Sequence, residues 1–289
     1  MSERWDVIVI GGGPAGLSAA LMLGRARRRV LVVDARSPRN RFAAHMHGVL
    51  GNEGAAPADL LRRGRAEAAS YGVEFVEGAV RRVDEIDGGV LVVTEHTSTE
   101  QTDTEHEGTL HARAVIVATG ITDELPDIPG LAERWGRSVL HCPYCHGWEV
   151  RDQRLGVLTT SPLGIHQAQL VRQWSERVVV FTAGTPRAHD GFLAHLNLAR
   201  TESPFGSDAT LTVDFAGKAS GRRIWAIGNV VNPMATVPMA IGAGATTDGA
   251  VNAALVEEDF DPAIAIEKEK EKEKEKEKEK EKEKENAHV

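Results

Sequence analysis

Cysteine is nearly absent from this chain: among 289 residues there are two, Cys142 and Cys145. A tetrathiolate zinc site is therefore excluded. A long apolar run is also lacking. No stretch approaches the roughly 18 apolar residues that span a bilayer, which leaves no membrane partner. Nor is there an excess of basic charge. The formal net charge is −8, against a nucleic-acid binder, which would present a basic face. The opening MSERWDVIVIGGG enters an apolar strand at once, without a basic start, long apolar run and cleavage site. The expectation is a cytoplasmic protein. There thiols stay reduced, and a close cysteine pair is more often catalytic or metal-binding than structural.

The cysteines sit in HCPYCHGWE, residues 141–149. Two cysteines two residues apart fit a redox dithiol, half a zinc site or, with His146 following, a c-type haem attachment. A zinc site from His141, Cys142, Cys145 and His146 would crowd four ligands into six consecutive residues. Haem attachment normally accompanies export. No metal is expected.

The first 35 residues read strand, glycine-rich turn, helix, strand. Val7–Ile10 leads into Gly11-Gly12-Gly13-Pro14-Ala15-Gly16, then a helix to about Arg27, then Val30–Val33 ending at Asp34. A helix over Pro57–Tyr71 and strands near Val73–Val76, Ala79–Val83 and Val90–Val93 follow, then a polar hairpin loop from Thr94 to Gly108. Arg113–Val117 is a buried strand. Leu155–Leu158 and Arg177–Phe181 flank a helix over Leu163–Trp174, the start of a second βαβ unit. Ile224–Ile227 is a further strand, and a small-residue helix over about Thr236–Val256 closes the fold. From 267 to 285 Glu and Lys alternate, ten of one and nine of the other. With no apolar face, that segment reads as a solvated tail.

Gly11, Gly13 and Gly16 lie between a strand and a helix, and Asp34 ends the next strand at the distance expected of a dinucleotide site. Gly11 permits the tight turn, Gly13 lets backbone approach a pyrophosphate, and Gly16 lets helix and strand pack closely. Pro14 and Ala15 open the helix, whose N-terminus favours phosphate. Asp34 can accept from both ribose hydroxyls. Three further features favour FAD over NAD. Ala118-Thr119-Gly120 gives a second close backbone approach, and Gly228-Asn229 brings a side chain able to bond a ribityl hydroxyl. Ala235 and Thr236 open a helix aimed at the flavin pyrimidine.

With HCPYCHGWE between the second and third landmarks, the chain from about Trp5 to Val256 resembles the bacterial low-molecular-mass thioredoxin reductase family. It is most similar to the subgroup carrying CPYCHG followed by an aromatic residue and Glu, which includes FAD-dependent dithiol oxidases. The resemblance implies a two-domain α/β fold in which a three-layer ββα, Rossmann-like FAD domain carries an inserted NAD(P)-type domain. On that plan, residues 1–120 and 207–260 form the FAD domain, 121–206 the insert and 261–289 the tail. It also implies a homodimer acting on a thioredoxin-like protein or a small dithiol or disulfide. Cys145 would exchange electrons with the flavin and Cys142 would meet the substrate. His146 stands where relatives carry an acidic proton donor, and a His can do that work near neutral pH. The dithiol at a helix start also fits a lowered thiol pKa.

The insert departs from the family. Leu158-Thr159-Thr160-Ser161-Pro162-Leu163-Gly164 keeps little of a glycine-rich turn, and Thr159 and Ser161 put Cβ atoms where a pyrophosphate needs bare backbone. Arg187 is the only cation near the end of the second strand. The expected sheet is also short, with an uncovered edge. Three readings follow: an NAD(P)H-dependent disulfide reductase, an FAD-dependent dithiol oxidase using oxygen, or a truncated flavin-binding protein without turnover.

Overall fold

The computed structural model describes residues 4–95, 108–159, 163–181 and 211–260. The Glu–Lys tail, the loop over 96–107, the turn at 160–162 and Arg187 lie outside the described residues.

A seven-stranded sheet organises the molecule. β1 (Trp5–Ile10) is flanked by β2 (Val30–Asp34) and β6 (Gly108–Val117), both parallel to it, and β3 (Glu74–Glu77) extends the sheet beyond β2. The far edge of β6 is shared. Its first half takes β5 (Gly89–Thr94) antiparallel, itself paired with β4 (Val80–Ile86). Its second half takes β9 (Ile224–Ala226) parallel. The β5–β6 ladder closes at Thr94↔Gly108.

Alternation along the strands separates two cores. Val7 and Val9 of β1 face one side with Val30, Val32, Ala114 and Ile116. There they pack under α1 (Pro14–Arg25), α2 (Pro57–Ala69) and a long helix over 237–260, α5, through Ala19, Leu23, Ala68, Val251 and Leu255. Ile8 and Ile10 face the other side, with Leu31, Val33 and Val115, and are covered by Val90 and Val92 of the β4–β5 hairpin. Helices, parallel sheet and antiparallel hairpin are the three layers that the sequence implied. The α5 end is tied down by Arg113, which reaches Asp6, Glu258 and Asp259 at 3.1, 3.2 and 2.7 Å.

The chain leaves this unit after β6 and returns to it at β9. Between them lie a one-turn helix, α3 (Pro143–His146), then β7 (Leu155–Leu158), α4 (Leu163–Val171) and β8 (Val178–Phe181). β7 and β8 pair in parallel as a two-stranded sheet. Helix α4 ends three residues before Trp174, and Trp174 continues the turn below it, with its N–H bonded to Val171 O. Val179, Val180 and Phe181 of β8 are exposed among the described residues.

Candidate functional site

The strand ends converge. The Gly11 N–H donates to Val33 O, the Ala118 N–H to Ile10 O, and the Ile227 N–H to Val117 O, at 2.8, 2.8 and 2.9 Å. β2, β1, β6 and β9 therefore finish in register along one edge, the edge where open parallel sheets bind ligands. Gly11 has φ of +110°, and a Cβ there would lie 2.4 Å from Ala118 O. A side chain at Gly16 would meet Gly11 O at 2.0 Å. These two glycines let the turn close, as the motif implied. Gly228, at φ +76°, approaches Ala15 closely enough that a Cβ would sit 3.0 Å from its side chain. The structure thus gathers the turn at Gly11–Gly16, Asp34, Ala118–Gly120 and Gly228-Asn229 along one rim.

The rim suits a dinucleotide such as FAD. A Cβ on Gly13 would meet nothing within 4 Å, so open space faces that backbone. Pro14 is at the first turn of α1, where no side chain caps the helix and no acidic residue stands. The first amides are thus left to an anion. The Asp34 carboxylate rests on Gly12. It accepts from Arg65 Nη2 at 2.6 Å and the Arg36 N–H at 3.2 Å, which leaves lone pairs for ribose hydroxyls. Arg65, stacked 4.5 Å over Phe75, was not legible as a partner of Asp34, because 31 residues separate them. Asn229 also holds its own loop. Its amide donates to the carbonyls of Asn232, Pro233 and Ala235 at 3.1, 3.2 and 3.0 Å. That pins the loop leading through Ala235 and Thr236 into α5. Arg39 braces the same loop, donating to Pro233 O at 2.8 Å and forking onto Asp123 at 2.8 and 2.5 Å. Although partial burial works the other way, this fork holds the Asp123 carboxyl below its usual pKa.

Cys142 and Cys145 are joined in a disulfide, with Cα atoms 5.2 Å apart. Pro143 starts the single turn that brings them together. Cys142 Sγ accepts from the Cys145 N–H at 3.2 Å. On reduction the same amide would favour a Cys142 thiolate. The turn rests on Trp174. Tyr144 meets that ring edge-on at 5.7 Å, and a Cβ on Gly147 would lie 2.6 Å from it. Tyr144, within the turn, and Trp148, just after it, are 73% and 65% exposed, so the turn is open to a docking partner.

His146 is half-buried next to Cys145. Partial burial, with His47 close by, holds its pKa below the ordinary value against the pull of Glu149. The imidazole is therefore mainly neutral at pH 7. His47, from the loop between β2 and α2, packs edge-on at 6.1 Å. Its Nδ1 lies 2.6 Å from Glu53 Oε1 and its Nε2 3.6 Å from Glu149 Oε1. Sequence reasoning missed His47, since nothing in the spacing of His45-Met46-His47 points to a residue so far along the chain. The His141 carbonyl accepts from Gln167 Nε2 at 2.7 Å.

At the carboxyl end of β7, where the insert would hold a nicotinamide dinucleotide, Thr159 Oγ1 donates to Phe181 O at 3.1 Å. Gly164 packs against Thr159, with a Cβ-to-Cα approach of 2.8 Å. The glycine that remains from the pattern is thus engaged in closing β7 onto α4.

A parallel sheet with a dinucleotide-type rim, and a dithiol carried outside it, define an oxidoreductase acting on sulfur groups. Residues 5–195 match the family described as pyridine nucleotide-disulphide oxidoreductase, and the chain belongs to that family. It is 34% identical to thioredoxin reductase tcpT of Claviceps purpurea over 76% of this chain and 67% of that protein. To thioredoxin reductase aclD of Aspergillus oryzae it is 35% identical, over 62% of this chain and 57% of that one. Among solved structures, that of HlmI superposes with a TM-score of 0.79 at 37% identity, covering 92% of this chain and 97% of that one. An oxidoreductase from Agrobacterium tumefaciens gives 0.76 at 33% identity, covering 88% and 99%. Among the described residues, no helix is long and apolar enough to cross a membrane.

Proposed function

We propose that the protein is an FAD-dependent thiol–disulfide oxidoreductase working through Cys142 and Cys145. FAD would lie along the rim from Gly11–Gly16 and Asp34 through Ala118–Gly120 to Gly228–Thr236, and bound there it supplies a two-electron relay to the dithiol. The observation that carries the reading is the Cys142–Cys145 disulfide on an exposed turn, with the Cys145 amide aimed at Cys142 Sγ. On this reading residues 1–120 and 207–260 make the FAD domain and 121–206 a shortened second domain.

The same pair serves two directions. As a reductase like its thioredoxin reductase relatives, the protein would take electrons from NAD(P)H and reduce a disulfide of a thioredoxin-like protein or small molecule. As an oxidase, it would take two electrons and two protons from a dithiol and deliver them to oxygen, giving a disulfide and hydrogen peroxide. Two observations favour the oxidase. Thr159 stands where Gly11 stands in the first unit, and its side chain is bonded to Phe181 O at the strand end where a nicotinamide dinucleotide would need bare backbone. His146 stands neutral beside the pair, as a base that would deprotonate an incoming thiol. The substrate thiolate attacks Cys142, the S–S bond breaks, and Cys145 leaves as a thiolate. The second substrate thiolate then displaces Cys142, closing the substrate disulfide and leaving the enzyme dithiol.

Anaerobic mixing of the purified holoprotein separates these directions. Bleaching of the flavin absorbance by dithiothreitol, reversed by air, with no bleaching by NADPH or NADH, is expected. Bleaching by NADPH would refute the oxidase direction. Failure of both reagents to bleach the flavin would refute turnover through the dithiol.

A further inference from the structure

The geometry points to a binding site for a zinc-like divalent cation formed by His47, His146 and Glu149. One donor atom from each lies within 4.8 Å of the other two. Four-coordinate zinc at ordinary bond lengths holds its ligands about 3.4 Å apart. The His47 Nε2 to Glu149 Oε1 separation of 3.6 Å already matches, and the wider pairs, within 4.8 Å, need to close by at most about 1.4 Å. Two imidazoles and a carboxylate are a borderline-soft set that leaves a fourth position for water.

The surroundings of His47 are those of a prepared ligand. Glu53 Oε1 sits 2.6 Å from Nδ1, while Glu53 Oε2 is fixed by the Gly48 N–H at 2.8 Å. A proton placed on Nδ1 leaves Nε2 with its lone pair turned to Glu149, and a carboxylate orienting the far nitrogen of a metal-bound His is the usual outer-shell arrangement. At 3.6 Å the Nε2···Oε1 pair lies beyond hydrogen-bond reach. In that tautomer the lone pairs of Nε2 and Oε1 face a common point, where a cation would be held by both. The loop itself is braced: buried Met46 and Val49 flank His47, and Met46 exchanges backbone bonds with Ala55 and Gly54 at 2.9 and 3.0 Å. Glu149 is partly exposed, which gives an ion an entry path.

The functional consequence rests on the role proposed above for His146. A cation there takes the imidazole lone pair that would accept the thiol proton, and ties the dithiol turn to the loop carrying His47. Zinc is therefore a reversible inhibitor of this enzyme.

The test uses the oxidised full-length holoprotein, in which both cysteines are in the disulfide and neither can bind metal. Titration with zinc chloride by calorimetry, and with cobalt chloride by visible absorbance, should show one equivalent bound. His47→Ala and Glu149→Gln should each weaken binding at least tenfold. Glu53→Gln should weaken it about 10- to 100-fold, while His45→Ala should leave it unchanged. Thermal melts establish that each variant is folded. Absence of stoichiometric binding by the wild type overturns the proposal, as does equal binding by His47→Ala or an equal loss in His45→Ala. A wild type that binds zinc but does not turn over dithiols refutes the function proposed above and leaves the site standing.

Discussion

Replacing Gly147 by alanine tests how the dithiol turn is seated. The new Cβ would lie 2.5 Å from Pro143 O and 2.6 Å from Trp174 Cδ2. One contact is backbone and the other a large ring, so either the turn rotates or Trp174 moves off it. Overpacking of this kind costs about 1–3 kcal/mol. Displacing Trp174 also removes its edge-on contact with Tyr144, about 0.5–1.5 kcal/mol. Against these stands roughly 0.4–1 kcal/mol from the stiffer unfolded chain. The net is about 1.5–3 kcal/mol, or a roughly 10- to 100-fold shift in the local opening equilibrium. Hydrogen exchange of a peptide spanning 143–150 should accelerate by that factor, while exchange in β1 and β6 stays unchanged. Trp174→Ala in the same chain should relieve the clash, so the two substitutions together should cost less than the sum of each alone. Unchanged exchange in Gly147→Ala, or strict additivity in the pair, would refute the argument.

Arg39→Met removes the fork on Asp123 and the bond to Pro233 O, leaving a half-buried carboxylate unpaired. A loss of about 2 kcal/mol is expected by denaturant titration at pH 7, shrinking at pH 3 because the lowered pKa of Asp123 gives stability that is present above 3.8 and lost as pH falls through the folded value. His146, whose pKa is also lowered, resists a proton that the unfolded chain accepts below 6.5. Stability should therefore fall as pH drops from 6.5 toward the folded pKa. His146→Gln should flatten that slope, and an unchanged slope would place its origin elsewhere. Gly13→Ala meets no atom in the folded chain. Its melting temperature without cofactor should match the wild type, while FAD affinity falls tenfold or more, about 1.4 kcal/mol. Wild-type affinity would remove the pyrophosphate from that position.

Much of the large sheet was legible because its strands are short β-branched runs bounded by glycine and acidic punctuation. Val7–Ile10 and Val30–Val33 carry their pattern on both faces, so their burial follows from sequence alone. Boundaries moved where tertiary contacts decided them. β6 begins at Gly108 rather than Arg113, since its polar first half is a strand only through pairing with β5. β4 runs on to Ile86, carried by the same hairpin. The rim was readable because each glycine there answers a local backbone demand. The surroundings of the dithiol were not: His47, Trp174, Arg65 and Arg39 reach their partners across the fold, and nothing in a linear spacing encodes such a meeting. Asn229 shows the converse. Its position was legible, while its engagement with three carbonyls of its own loop required coordinates.

The pairing of β9 with the second half of β6 also sets the order in which the molecule can assemble. The hairpin joining β5 to β6 closes a loop of roughly 14 residues, whereas β9 must return across roughly a hundred, which raises the closure cost from about 2.3 to about 4 kcal/mol. During synthesis β1, β2, β3 and the β4–β6 meander are all available before β9 has been made. The nascent chain therefore holds the glycine turn and Asp34 while the edge of β6 beyond Ala112 is still open. Gly228 and the head of α5 follow β9 in the chain, so the rim is completed only after β9 has been made.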